Sequence, residues 1–255
     1  MHDDKPIAAA LVAARLTGEP VSALAPESAE VAYAVQARVA RALRWFDGAA
    51  PRHWKSGGPA REGSLTHAPL PPAGVWASPA DGCRAPGGQA WHLRGIEAEV
   101  ALRLAADVTP DAAAGLDLAG ARALVDAMTV AIEIVDSRWA EGLAAAPLAK
   151  LADLQSHGAL VLGAWVAFDP AHDWAAQRCH VQIGRAAPQV FTGSHAMGDP
   201  AFVLPAWLRH ATRDGSTVAA GTVVTTGTWC DLPMAAAGDE VLVGFDGIGD
   251  ARVQF

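Results

Sequence analysis

The chain has 255 residues, of which 51% are apolar and 18% charged, and its 19 basic against 27 acidic residues give a net charge of −8. Bulk disorder is excluded, because it goes with few apolar residues and much charge. So is a broad positive surface for nucleic acid. Cys83, Cys179 and Cys230 lie far apart and form no C-x-x-C pair, so neither a zinc knuckle nor a disulfide framework is expected.

The start, MHDDKP, is acidic where a secretory signal would be basic. The longest run without charged or strongly polar groups, 158–168, is shorter than the roughly 20 residues of a membrane span. A soluble cytoplasmic protein is expected, with neither membrane nor nucleic acid as partner. Its apolar content is enough to build a sizeable core and to cover surface against copies of itself, so a homo-oligomer is expected.

In chain order, the alanine-rich stretch 7–16 predicts a helix closed by Gly18. Ser28 followed by Glu30 and Val31 is the capping pattern of a second helix over 28–43. Between 48 and 95, glycines and prolines from Gly57 and Gly58 to Pro86, Gly87 and Gly88 predict loops and brief strands. GIEAEVALRL (95–104) alternates cleanly, with Ala98, Val100, Leu102 and Leu104 on one face and Glu97, Glu99, Ala101 and Arg103 on the other. A short helix is predicted over 118–127, and strands over 128–137, 159–167 and 179–183. Asp199-Pro200 reads as an N-cap with proline at the first helical position, Gly215 as the stop, and Pro205 as a kink. The end, 221–255, carries three strand candidates, the last two joined by the turn-prone DGIGD. The expected fold class is α+β: an N-terminal helical cap over residues 1–50 and a mixed-sheet body over 51–255.

Glu97 and Glu99 are the most informative pair. Two carboxylates at i and i+2 of a strand share a face, about 6–7 Å apart, and repel unless something positive lies between them. An isolated E-x-E is otherwise a solvated strand face. Glu133, in AIEIVDS, stands between Ala131 and Val135 on one face of a core strand, a costly place for an unpaired acid. Three glutamates from two strands would make an all-oxygen site, suited to Mg²⁺ or Mn²⁺ and not to zinc. Lys55, one of three lysines, lies in RHWKSGG beside a glycine pair; near a metal, its pKa can fall enough for proton transfer, and otherwise it is an ordinary surface lysine. The histidines show no metal-binding spacing; His157 and His195 each follow a serine near a glycine and could line a pocket. No G-x-S-x-G elbow, G-x-G-x-x-G loop or Walker pattern is present.

Taken in order, GIEAEVALRL, AIEIVDSRW, LADLQSHGALVLG, TGSHAMGDPAFVLPAWLRH, AGTVVTTGTW and AAGDEVLVGFDGIGDARVQF, with AYAVQARV and RHWKSGG before them, resemble one known group. It is the 2-keto-4-pentenoate hydratase / 2-oxohepta-3-ene-1,7-dioate hydratase / 4-oxalocrotonate decarboxylase group of the fumarylacetoacetate hydrolase family, and the resemblance spans most of the chain. It implies a mixed β-sandwich roll with an N-terminal helical region, a homo-oligomer, and catalytic Mg²⁺ or Mn²⁺. By the same resemblance the metal ligands are Glu97, Glu99 and Glu133, and Lys55 is the proton-shuttling acid/base. Ser156, from a D-N-A-S-x-G-like stretch, and Thr226, at an L-T-G-like strand end, fall near the substrate carboxylate. Ser194, in TGSHAMGD, is a further substrate-binding candidate.

Two departures stand out. Members of the family commonly carry an acidic residue between the lysine segment and E-x-E that pairs with the lysine, whereas THAPLPPAGVW (66–76) has none. Pro72 and Ala73 hold the corresponding positions, and His67 is the nearest candidate to act instead. Leu154 also replaces the asparagine of D-N-A-S-x-G. The implied activity is hydration of a 2-hydroxy-2,4-dienoate to a 4-hydroxy-2-oxo acid, within the catabolism of aromatic compounds. The alternatives are a decarboxylase or C–C hydrolase of a related 2-oxo acid, or a non-catalytic oxo-acid-binding member.

Overall fold

Apolar spacing forms the first two helices. In a computed structural model that describes residues 4–79, 82–86 and 90–255, α1 (Lys5–Thr17) buries Ile7, Ala8, Leu11 and Ala14. It stops at Gly18, whose left-handed φ of 74° returns its N–H to the Ala14 carbonyl. The next helix, α2 (Ala29–Ala42), is capped by the Ser28 hydroxyl, which accepts the Val31 N–H at 3.3 Å. Short strands follow where glycine and proline punctuate the chain: β1 (His53–Gly57), β2 (Thr66–Pro69), β3 (Val75–Ala77) and β4 (Cys83–Arg84). Gly87, Gly88 and the first three residues of the acidic start lie outside the described residues.

Then comes β5 (Gly95–Leu104), with α3 (Pro110–Gly115) and α4 (Leu118–Arg122) ahead of β6 (Val125–Val135). The helix expected over 118–127 is cut to five residues because Val125 already pairs with Leu104. Next are α5 (Pro147–Ala152), β7 (His157–Leu162) and β8 (Val166–Ala167). The expected strand 159–167 is thus two strands. The break falls at Gly163, where any side chain would collide with the Asp250 carbonyl oxygen. The remaining elements are β9 (Arg178–Ile183), β10 (Gln189–Thr192), α6 (Leu204–Ala211), β11 (Val223–Thr225), β12 (Glu240–Phe245) and β13 (Gly249–Gln254). Pro205 sits in the first turn of α6, after a 3₁₀ turn at Pro200–Val203, so it starts the helix and does not kink it. Among the described residues no helix is long and apolar enough to cross a membrane.

The strands form two mixed sheets. The larger has the order β2-β1-β11-β5-β6-β7-β3, with β8 also on β6; β1–β11 and β3–β7 are parallel and the other pairs antiparallel. The smaller has the order β10-β9-β12-β13-β4. Ile96, Ala98, Val100 and Leu102 of β5 and Val130, Ile132 and Ile134 of β6 face the smaller sheet. There they share one core with Val241, Val243, Phe245, Ala251 and Val253. The result is the α+β sandwich roll that the family resemblance implies. The other face of the larger sheet carries a smaller apolar cluster, with Ala101, Ala131, Leu160 and Leu162 around Leu70 and Val223. The acidic residues lie on that face. A third core joins α1 and α2 to α5 and Trp139.

Candidate metal centre

Antiparallel register sets Glu97 directly opposite Glu133 across β5 and β6, and Glu99 follows on the same face. Each of the three carboxylates offers an oxygen, and these atoms lie within 4.8 Å of one another. Facing acids are unfavourable in a sheet unless a cation joins them. Lys55 supplies one positive charge. Parallel pairing of β1 with β11 aligns Lys55 with Thr225, and β11 lies beside β5. The Lys55 ammonium donates to Glu133 Oε1 and lies 3.4 Å from the Gln155 carbonyl oxygen. Glu133 Oε1 also accepts from His157 Nδ1 at 3.0 Å. Glu99 Oε2 accepts from the Thr225 hydroxyl and from the Gly227 N–H at 2.9 Å.

Burial raises the pKa of Glu97 to about 7, against the pull of Lys55. Burial and then the neighbouring Glu133 and Glu97 push Glu99 well above the carboxylate range. For Glu133, burial also pushes upward, but Lys55 and His157 outweigh it and the net shift is downward. Burial alone would lower the Lys55 pKa; the three glutamates prevail and raise it. Three acids around one amine hold it as an ammonium, and a bound cation would offset their pull.

A divalent cation fits this donor set. The three ligands are hard oxygens, and Glu133 Oε2 is buried with no hydrogen-bond partner among the described residues. Glu97 and Glu99 open on a cavity of about 410 Å³ that Lys55, Ser156, His195 and Thr226 also help to line. A larger cleft of about 580 Å³ between α2 and α6 is lined by arginines with Asp47 and Asp214, and contains no such constellation.

The Ser156 hydroxyl is buried beside the trio, without a partner among the described residues. It is delivered by three successive residues in the left-handed region, Leu154, Gln155 and Ser156, with φ of 54°, 57° and 58°. Thr226 reaches the cavity, but its hydroxyl donates to the Val100 carbonyl at 2.7 Å. Two expected residues are not brought to the cavity. His67 pairs with Ser56 in the β1–β2 register, one position beyond Lys55, so its side chain points to the opposite face. Its Nδ1 lies 2.8 Å from Ser56 Oγ, and its ring packs on His210 at 4.7 Å. The Ser194 hydroxyl turns away to the Trp229 carbonyl, and its neighbour His195 takes the cavity wall. His195 Nε2 is 2.9 Å from the Thr226 carbonyl, and burial lowers its pKa to about 4.

Sequence reasoning missed Gln155, Thr225 and Gly227. Thr225 carries a signal, since it adjoins Thr226 in TTGT and strand alternation sends the two to opposite faces; the left-handed turn at Gln155 carries none.

Residues 50–255 match the fumarylacetoacetate (FAA) hydrolase C-terminal family. No curated protein matches the chain. Among solved structures it is similar to 4-oxalocrotonate decarboxylase from Pseudomonas putida G7, complexed with magnesium and adipate. The identity is 20% and the TM-score 0.83, covering 98% of this chain and 96% of that one. It is also similar to 2-hydroxyhepta-2,4-diene-1,7-dioate isomerase from Mycobacterium marinum, with 16% identity and a TM-score of 0.58 over 80% of this chain and 74% of that one. A third is 5-carboxymethyl-2-hydroxymuconate delta-isomerase from Mycobacterium smegmatis, with 14% identity and a TM-score of 0.53 over 80% and 78%. At such identities the likeness is one of fold.

Proposed function

Because the chain belongs to the fumarylacetoacetate hydrolase family, we propose that it is a divalent-metal-dependent hydro-lyase. Its substrate is a 2-hydroxy-2,4-dienoate of the 2-keto-4-pentenoate type, and its product a 4-hydroxy-2-oxo acid. The observation that carries this reading is the clustering of Glu97, Glu99 and Glu133, the first two on the cavity wall and the third buried behind them with the Lys55 ammonium against it. Magnesium or manganese held by the three glutamates would supply Lewis-acid stabilisation for charge developing on the C2 oxygen of the substrate.

The chain's own groups do the rest. Lys55, held as an ammonium, gives a proton to C5 as the C2 hydroxyl loses its own, which produces an enone. Water then adds at C4, and C3 takes up a proton. The unpartnered Ser156 hydroxyl is a donor for the substrate carboxylate, and Thr226 lines the same wall. The reading carries with it a cytoplasmic homo-oligomer acting in the catabolism of aromatic compounds.

A second reading, decarboxylation of a 2-oxo diacid, is favoured by Lys150, a second ammonium on the cavity wall able to meet a distal carboxylate. The test is incubation of the purified protein and Mg²⁺ with 2-hydroxypenta-2,4-dienoate and, separately, with a 2-oxohexenedioate. Consumption of the first without carbon dioxide release supports the hydratase, and carbon dioxide from the second supports the decarboxylase. If neither is consumed and no C3 proton of a 2-oxo acid exchanges in deuterated water, the proposal fails.

A further inference from the structure

His157 stands at the position that the D-N-A-S-x-G-like stretch leaves open, between Ser156 and Gly158. It is the first residue of β7, directly after the three left-handed residues, and is 1% exposed. Its Nδ1 is 3.0 Å from Glu133 Oε1, the oxygen that also receives the Lys55 ammonium. Both donors therefore converge on one oxygen of Glu133, and Oε2 is left buried and unpartnered among the described residues.

The two donors differ in freedom. Lys55 hangs on a flexible four-carbon stem and, in the reading above, must leave Glu133 to exchange a proton with substrate. The His157 ring is confined. A Cβ on Gly74 would lie 3.9 Å from its Nε2. At the next residue, a Cβ on Gly158 would meet the Ile134 carbonyl at 2.8 Å and Trp91 at 2.9 Å, so β7 is pressed against β6 here.

We propose that His157 is a positioning residue whose Nδ1–H pins Glu133 Oε1, keeping Oε2 available to the cation whether or not Lys55 is in contact. This inference rests on the metal-centre reading and deepens it, by naming the group that presets one ligand. A ring that only filled space would need no nitrogen within hydrogen-bond distance of the carboxylate.

The experiment is calorimetric titration of the metal-free full-length protein with Mn²⁺, without substrate, for the wild type and for His157→Leu, His157→Asn and His157→Gln. An asparagine amide can reproduce a donor near Nδ1, whereas glutamine places its amide near Nε2. Removing an outer partner of a ligand weakens binding about 10–100-fold, which is the loss expected for His157→Leu and His157→Gln, while His157→Asn stays within a few-fold of wild type. If His157→Leu does not fold, the contrast between His157→Asn and His157→Gln carries the test. Wild-type affinity in His157→Leu, or equal losses in His157→Asn and His157→Gln, would overturn the proposal. Glu133→Gln separates the two levels. If it weakens Mn²⁺ binding while His157→Leu does not, only the role of His157 falls. If the wild type binds no Mn²⁺, or Glu133→Gln binds as well as wild type, the metal-centre reading falls and this inference with it.

Discussion

Lys55 is a cation among three acids, and its two contacts separate its role from theirs. It touches Glu133 Oε1 and approaches the Gln155 carbonyl, while Glu133 Oε2 has no partner among the described residues. Lys55→Met is therefore expected to lower turnover about 10²–10⁴-fold, the range for a lost acid/base. Mn²⁺ affinity should be undiminished, because a competing positive charge is removed. Turnover and calorimetry on one preparation check this, and a parallel loss of both would make the lysine a support for the ligands. A second residue-scale consequence concerns protons. Burial lowers the pKa of His67 to about 4, and burial with His67 and Arg213 nearby lowers that of His210 to about 3. An unfolded histidine titrates near 6.5. Between roughly pH 6.5 and 4 the unfolded chain thus binds more protons than the native one. Stability should fall as pH falls, by up to ~1.4 kcal/mol per pH unit for each ring, and level off below the native values. Urea midpoints between pH 7 and 4 measure this, and His67→Gln should flatten the slope; an unchanged slope in that variant refutes the assignment. The shared face of Glu97 and Glu99 was legible in the sequence because side chains alternate along a strand, though Glu133 joins them only through the β5–β6 register. The true orientation of His67 was not, because it depends on pairing with Ser56, a register that no local pattern announces.

Among the elements, long strands could be read and short irregular ones could not. The ten residues of β5 show alternation unaided, and the Ser28 cap marks α2. The six-residue α5 shows no periodicity, and the left-handed run at 154–156 contains no glycine to betray it. That run is held by two local backbone bonds and one tertiary one. The Gln155 N–H returns to the Lys150 carbonyl at 2.8 Å, the Ser156 N–H to the Asp153 carbonyl at 2.9 Å, and the Ser156 carbonyl accepts the Asp136 N–H at 2.8 Å. A β-branched residue is poorly suited to such a φ, so Gln155→Val should cost about 1–3 kcal/mol. Gln155→Gly, which relaxes the backbone but loses the hydrogen bond to Thr66, should cost less. Thermal melts of the two variants test the order, and a Gln155→Val protein as stable as Gln155→Gly would show that the backbone there is unstrained.

Over the whole molecule, α1 is tied to the segments that follow β6 and α5 by a buried charge cluster. Asp153, fully buried, accepts from Arg138 Nε at 2.7 Å and from Arg15 of α1 at 3.0 Å. Burial, with Arg138 close by, lowers the Arg15 pKa to about 9. Asp153→Ala leaves two guanidinium groups without their shared partner, and the expected loss is about 3–5 kcal/mol. Urea unfolding measures it, and amide exchange in α1 should rise more than in β5; protection lost equally everywhere would deny Asp153 a special hold on the cap. The sequence did not reveal this tie, nor that β11 runs between β1 and β5, since both join segments far apart in the chain. The two-sided use of β5 has a final consequence, for what the gene can tolerate. Deleting Ala98 alone would make Glu97 and Glu99 neighbours and so force them onto opposite faces of the sheet, one of them into the core that holds Val241 and Phe245. Lineages of this protein can lengthen the loops around β5, but within it they must trade residues one for one.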